Sequence, residues 1–491
     1  MSRMNGQHDD SSTGQPVPNP VTRLIAESLA GNIARRDMMR RATALGLSAP
    51  LVGLMLSAQS RGAVAQDAAT PAPDPSAGGT IVMPEGLRTD LAGAQITGIL
   101  ADSTDPNGPF IEAAIAKFGE ATGITVNFVR GETSATNRLQ AYRQQWAAQS
   151  ADYDVYMIDV IWPGVAAEHA LDLNPALSEL ASQHFEAIVA NNTVNDQLIG
   201  MPWFTDAGLF YYRTDLLEKY SLQPPTTWDE LQTAAQTIQD GERATTPDFV
   251  GFVWQGNAYE GLTCNGLEWQ VSNGGGNIIE ADGTVSINNP QAIEAFDRAR
   301  SWVGTISPEG VTTYDEPQTF NVWTAGNAAF ARNWPYMWAG SQDAPAVAGK
   351  VGVSALPMGT GEGARNAATL GGWQLMVSRY SENPDAALEF IRFMCSPEVQ
   401  TAFAAERSML PTIGSVYDSP EVAAASEFIP RLREIFEGGA VVRPSSVSAD
   451  LYPEISQVYF QQLNQILTGG ATGAEGAAAM EEEMTAIMAE L

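Results

Sequence analysis

Apolar and polar positions change period several times along this chain, and each change marks an element. From residue 94 the segment AQITGIL is a short apolar run, which predicts a strand. The polar turn DSTDPNGP follows. PFIEAAIAKFGEATG then places Phe110, Ala114, Ile115 and Phe118 at helical spacing, which predicts an amphipathic helix. ITVNFV predicts a second strand, TNRLQAYRQQWAAQ a second helix, and YDVYMIDV a third strand ending at Trp162-Pro163-Gly164. Strands alternating with helices predict a parallel sheet covered on both faces. Ligands of such sheets sit at the carboxyl ends of the strands. Asp102, Ser103, Thr104 and Asp105 after the first strand, and Asp159 closing the third, should share that rim.

The middle of the chain follows another rhythm. IGMPWFTDAGLFYYR is strand-like with a polar break at Thr205-Asp206. TTWDELQTAAQTIQDG opens a helix with Glu230 three residues after Thr227, the spacing of a capping box. FVGFVWQG predicts a strand, 261–273 and 290–304 predict helices, and NAAFARNWPYMW, VGVSALP and GGWQLMVS predict strands. NIIEADGTVSINN reads as a turn or hairpin. Residues 383–491 are mostly helical in pattern, and no repeat of 20–50 residues is evident.

Residues 35–65 bear on location. The pair Arg35-Arg36 precedes an apolar run over 42–55, and Ala63-Val64-Ala65 closes the stretch. Basic, apolar, then small is the order of an export signal, here of twin-arginine type. An N-terminal core helix is the alternative. The run of about fourteen residues is short for spanning a bilayer. The mature chain would start near Gln66, in the periplasm or otherwise outside the cytoplasm.

Removing the seven Arg and four acidic residues before Gln66 leaves 19 basic against 53 acidic residues, a net charge near −34. That excludes a nucleic-acid partner, which requires a basic surface, and attraction to anionic lipid. The two cysteines, Cys264 and Cys395, have 130 residues between them; the sequence leaves open whether they pair. No C-x-x-C, H-x-x-x-H, G-x-S-x-G or phosphate-loop motif occurs, so no metal and no cofactor is expected.

The chemistry sits at predicted loop and strand ends. Trp162, Trp203, Phe204, Trp254, Tyr259, Trp334 and Trp373 stand beside Asp159, Asp206, Glu260, Arg332 and the pair Gly371-Gly372. A pyranose ring has an apolar C–H face that stacks on an indole, and a rim of hydroxyls that suits carboxylates and guanidinium groups. Each aromatic taken alone is as compatible with a core position as with a ligand contact.

The stretches YDVYMIDVIWPG, GMPWFTDAGLFYYRTDLLEKY, PPTTWDELQTAAQTIQ, GNAAFARNWPY and NPDAALEFIRFMCSPEVQ resemble the extracellular solute-binding proteins (family 1) of carbohydrate ABC transporters. FVWQGNAYEGLTCNGLEW and GGWQLMVS are most similar to the trehalose/maltose-binding branch. The resemblance implies an α/β, two-lobe periplasmic-binding-protein fold, each lobe a sheet flanked by helices, with the ligand cleft between lobes. It implies a non-enzymatic monomer that captures an α-linked disaccharide and delivers it to membrane permease subunits. Carried over by position, its ligand contacts fall on Asp105 (with Asp102 as the alternative), Arg138, Asp159, Phe204, Asp206, Trp254, Tyr259, Glu260, Gly371, Gly372, Trp373 and Arg443. The family often has Tyr where this chain has Phe204, which removes one hydroxyl contact.

The implied organisation is a signal peptide over 1–65, a flexible linker over 66–90, a first lobe of 91–203 plus 322–378, and a second of 204–321 plus 379–491. Crossings would fall near 203–206, near 320 and near 378. Two other readings share parts of the pattern. An exported glycoside hydrolase would also combine Trp with acids, using two carboxyl groups about 5–5.5 Å or about 6.5–9.5 Å apart, and Asp159, Asp206 and Glu260 offer such pairs. A protein for iron, polyamine or peptide would want more Tyr or His ligands, or a wider cleft.

Overall fold

The structure, a computed structural model, describes residues 78–425, 428, 429, 432 and 440–491. The basic-apolar export segment lies outside the described residues. Strands β1 (Gln95–Asp102), β2 (Thr125–Gly131) and β3 (Val155–Asp159) run parallel, with β1 between the other two. The alternating pattern predicts this. Their connecting helices, Gly108–Thr122 and Ala135–Ala147, cover opposite faces. Phe110, Ala114 and Phe118 enter one core, and Leu139, Tyr142 and Trp146 enter another.

After the hairpin β4 (Thr193–Val194) and β5 (Gln197–Leu198), strand β6 (Met201–Ala207) runs straight through Thr205-Asp206. The break falls at Gly208, beyond which the chain continues as β7 (Leu209–Arg213). Strand β7 belongs to a second sheet with β8 (Val250–Val253), β9 (Ala328–Asn333) and β10 (Val351–Ser354), in the order β10-β7-β9-β8. Strand β11 (Ala368–Val377) returns to the first sheet, antiparallel to both β3 and β6. Strand β12 (Ala440–Val441) pairs with its start. The first sheet is therefore mixed rather than parallel.

Helix Trp228–Glu242 carries the capping box: Glu230 N–H donates to Thr227 Oγ1 at 3.2 Å and Thr227 N–H to Glu230 Oε2 at 3.2 Å. With helices Glu260–Ser272, Pro290–Trp302, Tyr452–Thr468 and Gly473–Met488 it builds the largest core, through Leu231, Leu267, Phe296, Leu463 and Met480. The stretch 277–289 makes one isolated bridge, Ile279 to Val285, in a hairpin-like turn.

Pairing and packing move the boundaries expected from sequence. Strands β9 and β10 pair with β7 in the second sheet, although 322–378 was assigned to the first lobe. Helix Pro384–Met394 puts Phe390 and Ile391 into the core around Ile96 and Phe118, although 379–491 was assigned to the second lobe. The chain therefore crosses before β11 rather than after it. Residues 78–90 are no free linker: Ile81 is buried, Thr80 donates to Glu406, and Arg88 N–H donates to Glu389 Oε1 at 2.8 Å. Cys264 and Cys395 are both buried free thiols.

The crossing at Gly208 passes a buried ion pair. Arg332 Nε and Nη2 donate to Glu268 Oε2 and Oε1 at 2.9 and 2.5 Å. A Cβ at 208 would collide with Glu268 Oε1 and come within 2.6 Å of Arg332 Nη2. Separating such a pair strands a buried charge, so Gly208→Ala should cost about 3 kcal/mol or more of unfolding free energy, measurable by chemical denaturation.

A second expectation concerns pH. His184 is buried, with Nδ1 2.8 Å from Thr412 Oγ1 and no partner at Nε2. Burial lowers its pKa from 6.5 to about 3. Between those values the unfolded chain takes up a proton that the folded chain refuses. The neutral side chain's contribution is thus complete above pH 6.5 and lost as pH falls, by about 2 kcal/mol at pH 5. In His184→Gln the fall in stability between pH 7 and pH 5 should be smaller by that amount.

Candidate functional site

Register across three strands builds the site. Trp373 on β11 pairs with Asp159 on β3 and with Phe204 on β6. Directly opposed residues share a face, so these three side chains form one row. Two residues back along β11, Gly371 pairs with Asp206. Side chains alternate faces along a strand, so this second row joins the first. At Gly371 a Cβ would press on Trp334 at 3.2 Å and on Asp206 at 3.1 Å. Gly372 has φ 133° and lies against Phe204 O, where a Cβ would approach to 2.7 Å. Both positions exclude a side chain for the sake of close approach.

In front of these rows lies a cavity of about 380 Å³, within the range of small-molecule sites. The first sheet supplies Asp102 and Asp105 from the end of β1, Asp159, Phe204, Asp206 and Trp373. Elements of the second sheet and its helices supply Tyr259, Glu260, Glu316 and Trp334. The cavity thus lies between the two lobes. Every ligand contact carried over from the resemblance lines it except Trp254; Trp162, Trp203 and Arg332, named beside them at strand and loop ends, are buried off its lining.

Trp254 is a correction. Its ring is fully buried, edge-on to Trp269 at 5.0 Å, with Nε1 donating to Ser307 Oγ at 3.0 Å. It follows directly on β8, and that strand points it into the second lobe's core. The second cavity indole is Trp334, past the end of β9. Arg332 stacks over its ring at 4.0 Å, and its Nε1 donates to Glu316 Oε1 at 3.1 Å. Glu316, Phe320 and Tyr336 also line the cavity without having been singled out. The break at Trp334-Pro335 was a usable signal; Glu316 looked like an ordinary first-turn acid and carried none.

Each guanidinium is fixed by several partners. Arg138 donates from Nε to Glu132 O at 3.0 Å and from Nη2 to Asp102 Oδ2 at 3.4 Å, and it lies 4.8 Å over the ring of Trp373. Arg443 donates from Nη2 to Asp159 Oδ1 at 3.0 Å and from Nη1 to Glu260 Oε1 at 2.8 Å. Glu260 also accepts from Tyr452 Oη at 2.5 Å and Ser456 Oγ at 2.6 Å. Burial raises the Glu260 carboxyl pKa and Arg443 pulls it back. Glu316 accepts from Tyr259 Oη at 2.6 Å, and burial raises its pKa against that bond.

Asp105 caps its own turn through Asn107 N–H at 2.8 Å; burial, then the charge of Asp102, pushes its pKa to about 6. Asp206 stands well above the usual carboxylate range, first through burial and next through the charge of Asp159. Three buried polar atoms on the cavity lining have no partner: Asp206 Oδ1, Arg138 Nη1 and Arg443 Nε. A buried polar group left unpaired is costly. Asp159 and Glu260, one of the pairs a hydrolase would use, are committed to the same guanidinium. Among the described residues no group of three His, Cys, Asp or Glu is placed to hold a metal.

Residues 101–401 match the family described as bacterial extracellular solute-binding protein. A probable ABC transporter-binding protein of Deinococcus radiodurans is 46% identical over 354 residues, 72% of this chain and 84% of that protein. Among solved structures, maltose-bound MalE3 of T. maritima is 35% identical with a TM-score of 0.75, over 80% of this chain and all of that one. The GacH receptor of Streptomyces glaucescens, solved unliganded and with acarbose, shares the fold at a TM-score of 0.70 and 22% identity, over 81% of this chain and 99% of its own.

The core position of Trp254 has a measurable consequence. Trp254→Phe removes the Ser307 hydrogen bond and part of a buried ring. It should lower unfolding free energy by about 1–3 kcal/mol, read from equilibrium denaturation.

Proposed function

This chain belongs to the bacterial extracellular solute-binding proteins, and from that premise we propose that its cavity captures an α-linked disaccharide of the trehalose, maltose or sucrose type. The chain is the substrate-binding component of an ABC transporter, a binding protein and not an enzyme. In the proposed cycle it hands the sugar to the membrane permease. The likeness to maltose-bound MalE3 supports the ligand class.

The observation that carries the proposal is the cavity's chemistry. Two indoles, Trp373 and Trp334, offer apolar faces for pyranose rings. Three buried side-chain atoms of residues that line the cavity, Asp206 Oδ1, Arg138 Nη1 and Arg443 Nε, have no protein partner. A sugar hydroxyl donates and accepts at once, which suits a lining of carboxylates and guanidinium groups. In this reading the lobes close about Gly208 and the segment leading into β11, and closure removes the sugar from water. Export through the Arg35-Arg36 signal remains part of the proposal and rests on the sequence motif alone.

Isothermal titration against a panel of mono- and disaccharides tests it. One α-linked disaccharide should bind more tightly than any monosaccharide. Trp373→Ala should weaken that sugar by roughly 1–3 kcal/mol through loss of a desolvated stacking contact, while Trp254→Phe leaves the dissociation constant unchanged. A Trp373→Ala protein with unaltered affinity removes that ring from the site. Glucose released from maltose or trehalose by the pure protein refutes binding without catalysis.

A further inference from the structure

We infer that Arg332, which lies off the cavity, is the positioning residue for the Trp334 indole; its effect on sugar affinity rests on the solute-binding reading above. It holds one face of the ring, so that the other is set for the ligand before binding.

Arg332 is 1% exposed and no part of the cavity lining, so it makes no ligand contact itself. Its guanidinium is gripped along the edge. Nε and Nη2 donate to the carboxylate of Glu268, and Nη1 donates to Gln255 Oε1 at 3.1 Å. Glu268 is fixed in turn, accepting the Thr369 N–H of β11 at 3.1 Å. Gln255 Nε2 donates back to Arg332 O at 3.1 Å. With its edge occupied, the guanidinium presents a flat face, and Cζ lies 4.0 Å over the centre of the Trp334 ring. Guanidinium groups favour such contacts with an indole.

Two further contacts complete the ring's placement. Nε1 donates to Glu316 Oε1 at 3.1 Å, and the Cζ3 edge fits over Gly371, where a Cβ would stand 3.2 Å away. The backbone is pinned as well, with Tyr211 Oη donating to Trp334 O at 2.8 Å. Trp334 lines the cavity and Arg332 does not, so the ring turns its uncovered side to the ligand.

Stability alone does not account for the buried Arg332–Glu268 pair, since apolar residues of similar volume often serve as well or better. Its place behind an indole of the binding surface gives it another task. A free indole rotates about two bonds, and a ligand that stacks on it must first order it. An indole clamped at face, nitrogen and edge is ordered already. Lysine would keep the charge toward Glu268 and lose the flat cover.

The test has two arms. In the first, 5-fluorotryptophan is incorporated and the fluorine resonance of Trp334, assigned from its loss in Trp334→Phe, is read without sugar. Wild type should give a single narrow line. Arg332→Met combined with Glu268→Gln removes the cation together with its buried counter-charge. It should shift that line and broaden or split it. In the second arm, titrations with maltose, trehalose and sucrose compare the same double replacement beside Trp334 and beside Trp334→Leu. Affinity should fall about two- to tenfold where the indole is present, the cost of ordering one side chain, and less than about twofold where it is absent. A merely structural loss would weaken both backgrounds alike. Arg332→Lys should move line and affinity in the same directions; it decides the matter should the double replacement not fold. An unchanged Trp334 line, or an equal loss in the Trp334→Leu background, overturns the inference. A wild-type protein that takes none of the three sugars, with the altered line intact, refutes the disaccharide reading and leaves the role of Arg332 standing.

Discussion

Strand β11 lies antiparallel between β3 and β6, and its register with both is the constraint on which the binding surface depends. Because Trp373 pairs with Asp159 and Phe204 in one row, and Gly371 with Asp206 in the next, four strand positions become a continuous floor. A slip of one residue would turn every side chain of β11 to the opposite face. The two glycines hold the register from both directions. Gly372 sits at φ 133° against the backbone of β6, and Gly371 leaves the gap into which the Trp334 ring fits. Strand β11 is also where the chain comes back from the second sheet, so the floor of the cavity and a crossing between lobes are one piece of backbone.

Charge is distributed over this floor so that few groups are left unanswered. Six carboxyl groups and two guanidinium groups line the cavity among the described residues. Asp102 faces Arg138, Asp159 and Glu260 share Arg443, Glu316 accepts from Tyr259 and Trp334, and Asp105 caps its own turn. Among the buried side-chain atoms of these lining residues, Asp206 Oδ1, Arg138 Nη1 and Arg443 Nε have no protein partner. An acid-rich site is therefore no sign of a cationic ligand. Most of its negative charge is consumed by the protein itself.

The sequence made the local features legible and hid the non-local ones. The β1–β2–β3 alternation, the capping box at Thr227 and the acids closing β1 and β3 follow from short-range pattern, which the chain satisfies within a few residues. Trp254 and Trp334 had the same signal, an aromatic at a strand end beside a turn residue. Only tertiary packing separates them, with Trp254 edge-on to Trp269 in a core and Trp334 on the cavity wall. The lobe boundaries were misplaced for a related reason. Which sheet β9 and β10 join is decided by hydrogen bonds to β7, more than a hundred residues earlier, and helix Pro384–Met394 carries an apolar face that either core could bury. Arg443 could be placed by resemblance, yet its position between two acids of different lobes is a fact of the fold.

In the proposed function, a floor of three strands presents aromatic rings and a polar edge to a small neutral sugar. A crystal structure with the tightest-binding disaccharide tests this most directly. It should show one pyranose ring against Trp373, the other against Trp334, and a hydroxyl within hydrogen-bond distance of Asp206 Oδ1. A sugar bound away from β11, or one that leaves Asp206 unpaired, would contradict it.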